Sequence, residues 1–116
     1  TMEFETTVTP IASSSKFLVM LNLTVDNIGD SHFDGQLRRN VSSSETTIGD
    51  TGNAFNDNGN WGSDNFHGQG YTMTFLDTPN TSSQINYRFY IRENSGGRIR
   101  LMSTGPCGLT VMEIKG

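Results

Sequence analysis

Carboxylate, amide and aromatic side chains cluster in the middle of the chain, in its least regular stretch, residues 42–70. Five residues in this stretch or next to it are suited to holding a sugar: Asn60, Trp61, Asp64, His67 and Tyr71. An aromatic ring stacks on the apolar face of a pyranose, while neighbouring amides and carboxylates bond its hydroxyl groups. We take these five as candidate ligand-binding residues of a long, variable polar loop over 42–70. The alternative is that Trp61 and Phe66 fix the loop to the sandwich or to a neighbouring subunit, because large aromatic side chains are mostly buried.

The same stretch contains oxygen-bearing side chains of the kind that bind Ca²⁺, namely Asp50, Asp57 and Asp64 with several asparagines nearby. Their spacing differs from that of the helix-loop-helix calcium motif, and no glutamate closes the set. The plainer interpretation is a solvated loop that is rich in Asx turns. We therefore expect no metal and no other cofactor, with Ca²⁺ as the alternative.

Enzymatic chemistry has little support in the residue types. The two histidines, His32 and His67, accompany no recognisable nucleophile motif, and the carboxylates show no spacing typical of an acid–base pair. The net charge of −4 disfavours a nucleic-acid interface. No apolar run approaches the roughly 20 residues that a membrane span needs. A single cysteine, Cys107, excludes an intrachain disulfide. We expect a non-enzymatic protein with no nucleic-acid or membrane partner.

Alternation of apolar and polar residues, which is typical of strands, is the dominant pattern of the chain. Strands are expected over 4–8, 16–26, 32–41, 46–48, 71–77, 84–92, 98–103 and 109–114. Glycine, asparagine, serine and proline separate them. The pattern predicts a single all-β domain over residues 1–116, an antiparallel β-sandwich or jelly roll of about seven or eight strands.

The strand over 16–26 has the strongest pattern. One face is apolar throughout and consists of Phe17, Val19, Leu21, Leu23 and Val25. Leu18 and Met20 make the other face apolar at its start only. This predicts a central strand whose second face is covered for half its length, by a second sheet or by another subunit. Leu18 and Met20 are therefore candidate residues of an oligomer interface.

Two further groups of residues are interpreted as structural. Asp77 and Asn80 flank Pro79, and their side chains are expected to bond nearby backbone amides in turns. Arg38 and Arg39 are expected on a solvated strand face or in ion pairs between subunits.

Three blocks of the sequence resemble tail-fibre and virion-surface domains of bacteriophages of marine and freshwater bacteria. They are residues 9–19, with SSSKFLV at 13–19, residues 75–88, with FLDTPNTSS followed by INYR, and LTVMEI at 109–114. The middle block is the most specific of the three. The resemblance covers most of the chain except 42–70, where such domains vary most.

The resemblance implies a trimeric β-sandwich, usually at the C-terminal end of a fibre and exposed on the virion surface. Its partners would be two further copies of the chain, other virion proteins, and a glycan or receptor on the host surface. Because the first strand of the family usually follows further residues, the chain would be a piece of a longer fibre protein. The family supplies no catalytic residues. We expect the receptor-binding tip of a tail fibre.

Two alternatives remain open for the function. A capsid decoration or cement protein would have the same sandwich but would clamp neighbouring shell subunits on the capsid exterior. A carbohydrate-binding module of a secreted enzyme would bind its glycan as a monomer.

Overall fold

The computed structural model describes residues 2–28, 33–50, 66–93, 98–101 and 107–116, and these residues contain eight strands. The strands are β1 (Met2–Val8), β2 (Lys16–Ile28), β3 (Phe33–Val41), β4 (Ser44–Asp50), β5 (Phe66–Asp77), β6 (Ile85–Glu93), β7 (Arg98–Leu101) and β8 (Gly108–Ile114). They form two antiparallel sheets, which confirms the predicted all-β sandwich. Each segment predicted as a strand overlaps one of the eight.

The two sheets have different organisation. The first has the strand order β1-β6-β3-β4. The second is built around β2, with β5 on one side and both β7 and β8 on the other. All pairings are antiparallel, and most join strands that are far apart in the sequence, such as β1 with β6 and β2 with β8.

The core lies between β2 of the second sheet and β3 and β6 of the first. Its buried apolar members in the described part of the chain are Phe17, Val19, Leu21, Leu23, Leu37, Ile85, Tyr87, Phe89 and Ile91. Eight of these nine come from two strands, β2 and β6, in which every second residue points inward. The apolar face predicted for β2 is thus confirmed from Phe17 to Leu23, while the side chain of Val25 lies outside the described set.

The strands β7 and β8 share one side of β2 in tandem. Residues 16–22 of β2 pair with β8, and residues 25–28 pair with β7. Thr24 lies at the junction, where the thiol of Cys107 meets its backbone: Thr24 N donates to Cys107 Sγ at 3.3 Å, and Sγ lies 3.6 Å from Thr24 O as a donor. At this position the Cys107 thiol therefore makes the two hydrogen bonds to the Thr24 backbone that a neighbouring strand would otherwise make.

The irregular segment predicted over 42–70 is too wide. Ser42 and Ser43 form a two-residue turn between β3 and β4, residues 44–50 form β4, and residues 66–70 begin β5. Only residues 46–48 of β4 were predicted as a strand, because residues 44–47 are all polar and all exposed and show no alternation. The start of β5 was not predicted, because two glycines interrupt the alternation of apolar and polar residues there. Residues 51–65 lie outside the described residues.

The pairing of the strands places their ends at two opposite ends of the sandwich. We call the near end the one where Val8 and Val41 both pair with Ile85 and where Phe17 pairs with Asp77. The strands β2, β4 and β6 begin at the near end, and β1, β3, β5 and β8 finish there. At the far end, β2, β4 and β6 finish, and β3, β5 and β7 begin. From Leu18 to the far end, β2 runs for ten residues, or about 33 Å.

Candidate functional site

Leu18 and Met20, the predicted interface residues, lie on the outward side of the second sheet. Their neighbours Phe17, Val19 and Leu21 are buried and point toward the first sheet, so alternation directs Leu18 and Met20 the other way. The first sheet lies on the opposite side and does not cover them, so it is not the covering sheet that one of the two alternatives supplied. Both side chains are half-buried by the strands on either side.

Apolar side chains continue from Leu18 across the whole width of the sheet. Leu18 pairs with Leu76 of β5 on one side and with Met112 of β8 on the other, so the three form one cross-strand row. Leu76 is 60% exposed and Met112 is 52% exposed. Ile114, two residues beyond Met112, is 40% exposed. We call Leu18, Met20, Leu76, Met112 and Ile114 the apolar face.

The apolar face is almost free of charge. Over residues 16–22 of β2 and their partners on β5 and β8, the outward side chains other than the apolar ones are Thr72, Thr74, Thr110, Asn22 and Lys16. Only Lys16, at the near end, carries a charge. Side chains of this type, large and apolar yet exposed side by side, mark interaction surfaces on soluble proteins.

The outward side of the first sheet is polar by contrast. Arg38 donates to Glu45 at 2.6 Å and lies 4.4 Å from the centre of the Tyr90 ring. Arg88, which pairs directly with Arg38 in the register, lies 3.3 Å from Glu5. Each arginine has a carboxylate partner on a neighbouring strand, which offsets the repulsion between the two like charges. We call Glu5, Arg38, Glu45, Arg88 and Tyr90 the polar face.

A buried polar cluster joins the two sheets at the near end. Asp77, at the end of β5, is 7% exposed. Its Oδ1 accepts from Arg39 Nη1 at 2.5 Å, and its Oδ2 accepts from the Tyr87 hydroxyl at 2.7 Å. The Tyr87 ring also contacts Phe17, with ring centroids 6.0 Å apart. The carboxylate of the second sheet is thus held by two donors of the first.

These contacts correct two sequence-based interpretations. Asp77 was expected to bond backbone amides in its own turn, and Arg39 was expected in solvent or between subunits. Both instead form one ion pair inside the chain, because β3 and β6 place Arg39 and Tyr87 side by side in the register. Burial, and then the hydrogen bond to Asp77, raise the pKa of the Tyr87 hydroxyl well above its ordinary value. Both carboxylate oxygens of Asp77 accept hydrogen bonds from the first sheet, so this cluster connects the two sheets.

Of the five predicted ligand-binding residues, the structure describes the backbone of two, His67 and Tyr71. Asn60, Trp61 and Asp64 lie outside the described residues. His67 was predicted in the loop, but the backbone places it within β5. Tyr71, predicted at the start of a strand beside the loop, lies in the same strand and pairs with Leu23. β4 ends at Asp50 and β5 begins at Phe66, both at the far end of the sandwich.

Two other sequence-based expectations concern metals and membranes. Within the described ranges, no three His, Cys, Asp or Glu side chains come close enough to hold a metal ion. Asp57 and Asp64 of the calcium alternative lie outside those ranges. The same residues include no helix with the length and hydropathy that crossing a membrane requires.

Leu76, Met112 and Ile114 were not predicted as surface residues. For Leu76 and Met112 the signal is a pair of adjacent apolar residues inside a strand: Phe75 with Leu76, and Val111 with Met112. Since neighbours in a strand point to opposite sides, one member of each pair must leave the core. Phe17 with Leu18 is a third such pair. The outward members of the three pairs, Leu76, Leu18 and Met112, form one cross-strand row.

Comparison of the chain with protein-family models, with curated proteins and with solved structures found no match.

Proposed function

We propose that this chain is a non-enzymatic structural domain of a bacteriophage virion, the tip of a tail fibre that contacts a glycan on the host surface. Three copies assemble through the apolar face, and the segment 51–65 of each copy carries the contact residues Asn60, Trp61 and Asp64. The proposal joins the resemblance of the three sequence blocks to the arrangement of surfaces on the sandwich.

One observation supports the proposal: the apolar face lies toward the near end of the sandwich, whereas the strands that flank the segment 51–65, β4 and β5, end and begin at the far end. Copies can therefore assemble at one end without covering the other. Assembly multiplies shallow contacts, because three weak sites on one particle bind a surface together.

Binding of the full chain to immobilised bacterial glycans tests the contact. The probes are lipopolysaccharide and capsular polysaccharide from a panel of Gram-negative bacteria, and binding is followed by biolayer interferometry. We expect binding to at least one probe, and we expect Trp61→Ala to abolish it. Thr47→Ala, an exposed change on β4, is the matched control and should bind as the unmodified chain does. Equal binding by Trp61→Ala would contradict the assignment of the contact residues.

A capsid decoration protein is the second candidate, because an exposed apolar sheet face is equally suited to clamping shell subunits. Co-sedimentation with purified phage capsids separates the two. The fibre-tip proposal expects the chain to stay in the supernatant with capsids and to bind the glycan probes. Capsid binding without glycan binding would favour the decoration protein.

A further inference from the structure

We propose that the outer edge of β5 accepts an extended polypeptide strand from another protein, which adds a further strand to the second sheet. This strand would lie beside β5 and opposite the inward side of β4, and we call that place the open strand position. It is separate from the apolar face, and the inference does not depend on the glycan contact.

The open strand position follows from how the two sheets lie on each other. β1 lies against β8. β6 lies against β2, because the rings of Tyr87 and Phe17 meet, and β3 lies against β5, because Arg39 bonds Asp77. β4 therefore extends one strand beyond β5. Among the described residues the second sheet has at most three strands side by side, since β7 and β8 share one side of β2.

The exposure of β4 agrees with a missing strand opposite it. Thr46 pairs with Arg39, which reaches Asp77 of the second sheet. Ser44 pairs with Val41, which packs against the core. Residues directly opposite each other in a sheet share a side, so Ser44 and Thr46 also point inward. Both are nevertheless exposed, because no described strand of the second sheet lies opposite them.

The backbone of β5 determines the kind of partner. β5 pairs with β2 from Gln69 to Asp77 without a register shift, and no other described strand pairs with it. In an antiparallel strand every second residue directs its N–H and C=O away from its neighbour, so about half of these residues present both groups at the outer edge. Another extended strand satisfies such a row of donors and acceptors, and the partner is therefore an extended segment of polypeptide.

The side chains of β5 favour the same partner. Charged residues usually keep an exposed edge from pairing, and the other outer strands β1, β4, β7 and β8 all contain them: Glu3, Glu5, Glu45, Asp50, Arg98, Arg100 and Glu113. β5 has no aspartate, glutamate, lysine or arginine from Phe66 to Leu76. Its inward residues Met73 and Phe75 are only partly buried. An added strand with apolar residues at every second position would cover them.

A second copy does not fit the open strand position through its own β5. Because β4 extends one strand beyond β5, two copies joined through β5 would bring the β4 of each into the place of the other's β3. A free extended segment has no second sheet attached and meets no such obstacle. The acidic β4 of a second copy is the other occupant that the geometry admits, and the test distinguishes it.

Amide hydrogen exchange of the full chain, followed by NMR, tests the proposal with a strand-forming peptide. The probe is a synthetic peptide of alternating valine and threonine, nine residues long, with two lysines at each end. It is added at up to about 1 mM, because main-chain pairing alone binds weakly. We expect alternate amides from 69 to 77 to exchange rapidly in the free chain and at least about tenfold more slowly with the peptide.

Thr46→Lys and Thr47→Lys are a matched pair of variants. Each adds one charge at an exposed residue of β4, and each lies opposite an arginine, but only Thr46 points into the open strand position. An added strand would bury the new charge at position 46, so Thr46→Lys should weaken peptide binding at least about tenfold. Thr47→Lys should bind the peptide as the unmodified chain does. Circular dichroism checks that both variants fold.

Several results would overturn the proposal. Slow exchange of every β5 amide in the dilute free chain would show that this edge is already paired. Exchange at β5 that the peptide leaves unchanged would show that the edge accepts no strand. Equal peptide binding by the two lysine variants would locate the peptide elsewhere. Protection of β5 that increases with the concentration of the chain alone would identify a second copy as the occupant.

Discussion

The side chains of Asp77 and Tyr87 meet between the two sheets: the Tyr87 hydroxyl on β6 donates to Asp77 Oδ2 at the end of β5, at 2.7 Å. The two residues are only ten positions apart, yet the chain crosses from one sheet to the other between them. With Arg39 on the other carboxylate oxygen, the pair makes the near end of the sandwich a polar junction inside an apolar core.

Replacement of Asp77 by asparagine should destabilise the protein strongly. Asp77→Asn keeps the shape of the side chain but leaves the mostly buried Arg39 guanidinium without its counter-charge, which costs roughly 3 kcal/mol. Urea unfolding at one fixed protein concentration measures the loss. Glu45→Gln, which removes the partner of the more exposed Arg38, is the control and should cost about 0.5 kcal/mol or less. Similar losses in the two variants would show that the Asp77 ion pair contributes little.

Alkaline pH should destabilise the protein through Tyr87. Its pKa is raised in the folded state, so the folded hydroxyl keeps its proton at a pH where the unfolded one, with a pKa of about 10, has lost it. The unfolded state then binds fewer protons, and the free energy of unfolding falls as the pH rises above about 10. This contribution is fully present below that pH.

The Tyr87→Phe variant isolates the effect. It removes the titrating group and one hydrogen bond to a carboxylate, with a loss of about 2 kcal/mol at neutral pH. Between about pH 9 and pH 11, its unfolding free energy should fall less steeply than that of the unmodified chain, since the other tyrosines titrate in both. Identical slopes would contradict the raised pKa.

The turn between β3 and β4 should be open to stabilisation. Ser42 and Ser43 both have positive φ angles, 50° and 67°, a conformation that side-chain-bearing residues other than asparagine rarely adopt. Ser42→Asn combined with Ser43→Gly supplies the residues that such a two-residue turn favours, and should raise the unfolding free energy by about 1 kcal/mol. Ser14→Gly, in a turn without positive φ, is the control and should not stabilise. A double variant no more stable than the unmodified chain would be the contrary result.

Cys107 should protect the backbone of Thr24 from solvent exchange. Cys107→Ala removes the two hydrogen bonds between the thiol and Thr24, at a cost of about 1 kcal/mol. Amide hydrogen exchange at Thr24 should accelerate, while exchange at Val19, which lies between β5 and β8, should follow only the global change in stability. Unchanged relative exchange at Thr24 would show that the thiol does not protect this amide.

Chelation should leave the assembly unchanged. Because no metal is expected, light scattering of the chain at a concentration where it associates should give the same mass with and without EDTA. A chelator-dependent mass would favour the Ca²⁺ alternative.

Strand positions were predictable because β2 and β6 each bury every second residue. The alternation from Phe17 to Leu23 and from Ile85 to Ile91 is a local pattern and needs no knowledge of the partner strands. β4 was predicted too short, because an exposed edge strand of polar residues has no alternation to detect. The start of β5 was missed because its glycines lack side chains that could show a pattern.

Contacts between the sheets were not predictable in the same way. The ion pair of Arg39 with Asp77 depends on how the sheets pack, and each residue alone resembles a surface charge. The apolar face was predicted in part, because Leu18 and Met20 stand out within a single strand. Leu76 and Met112 join them only once the register of three strands is known.

The long-range pairing of β2 has a consequence for protein synthesis. Its apolar residues 17–21 leave the ribosome well before its partner strands, since β5 follows some fifty residues later and β8 only at positions 108–114. In the first sheet, β1 likewise cannot pair until its neighbour β6 has been synthesised. A chain of this topology folds slowly and after most of it has been translated, with β2 exposed to other nascent chains in the meantime. Expression yield, and its response to chaperones and to lower temperature, should therefore be governed by residues 17–21 more than by any loop.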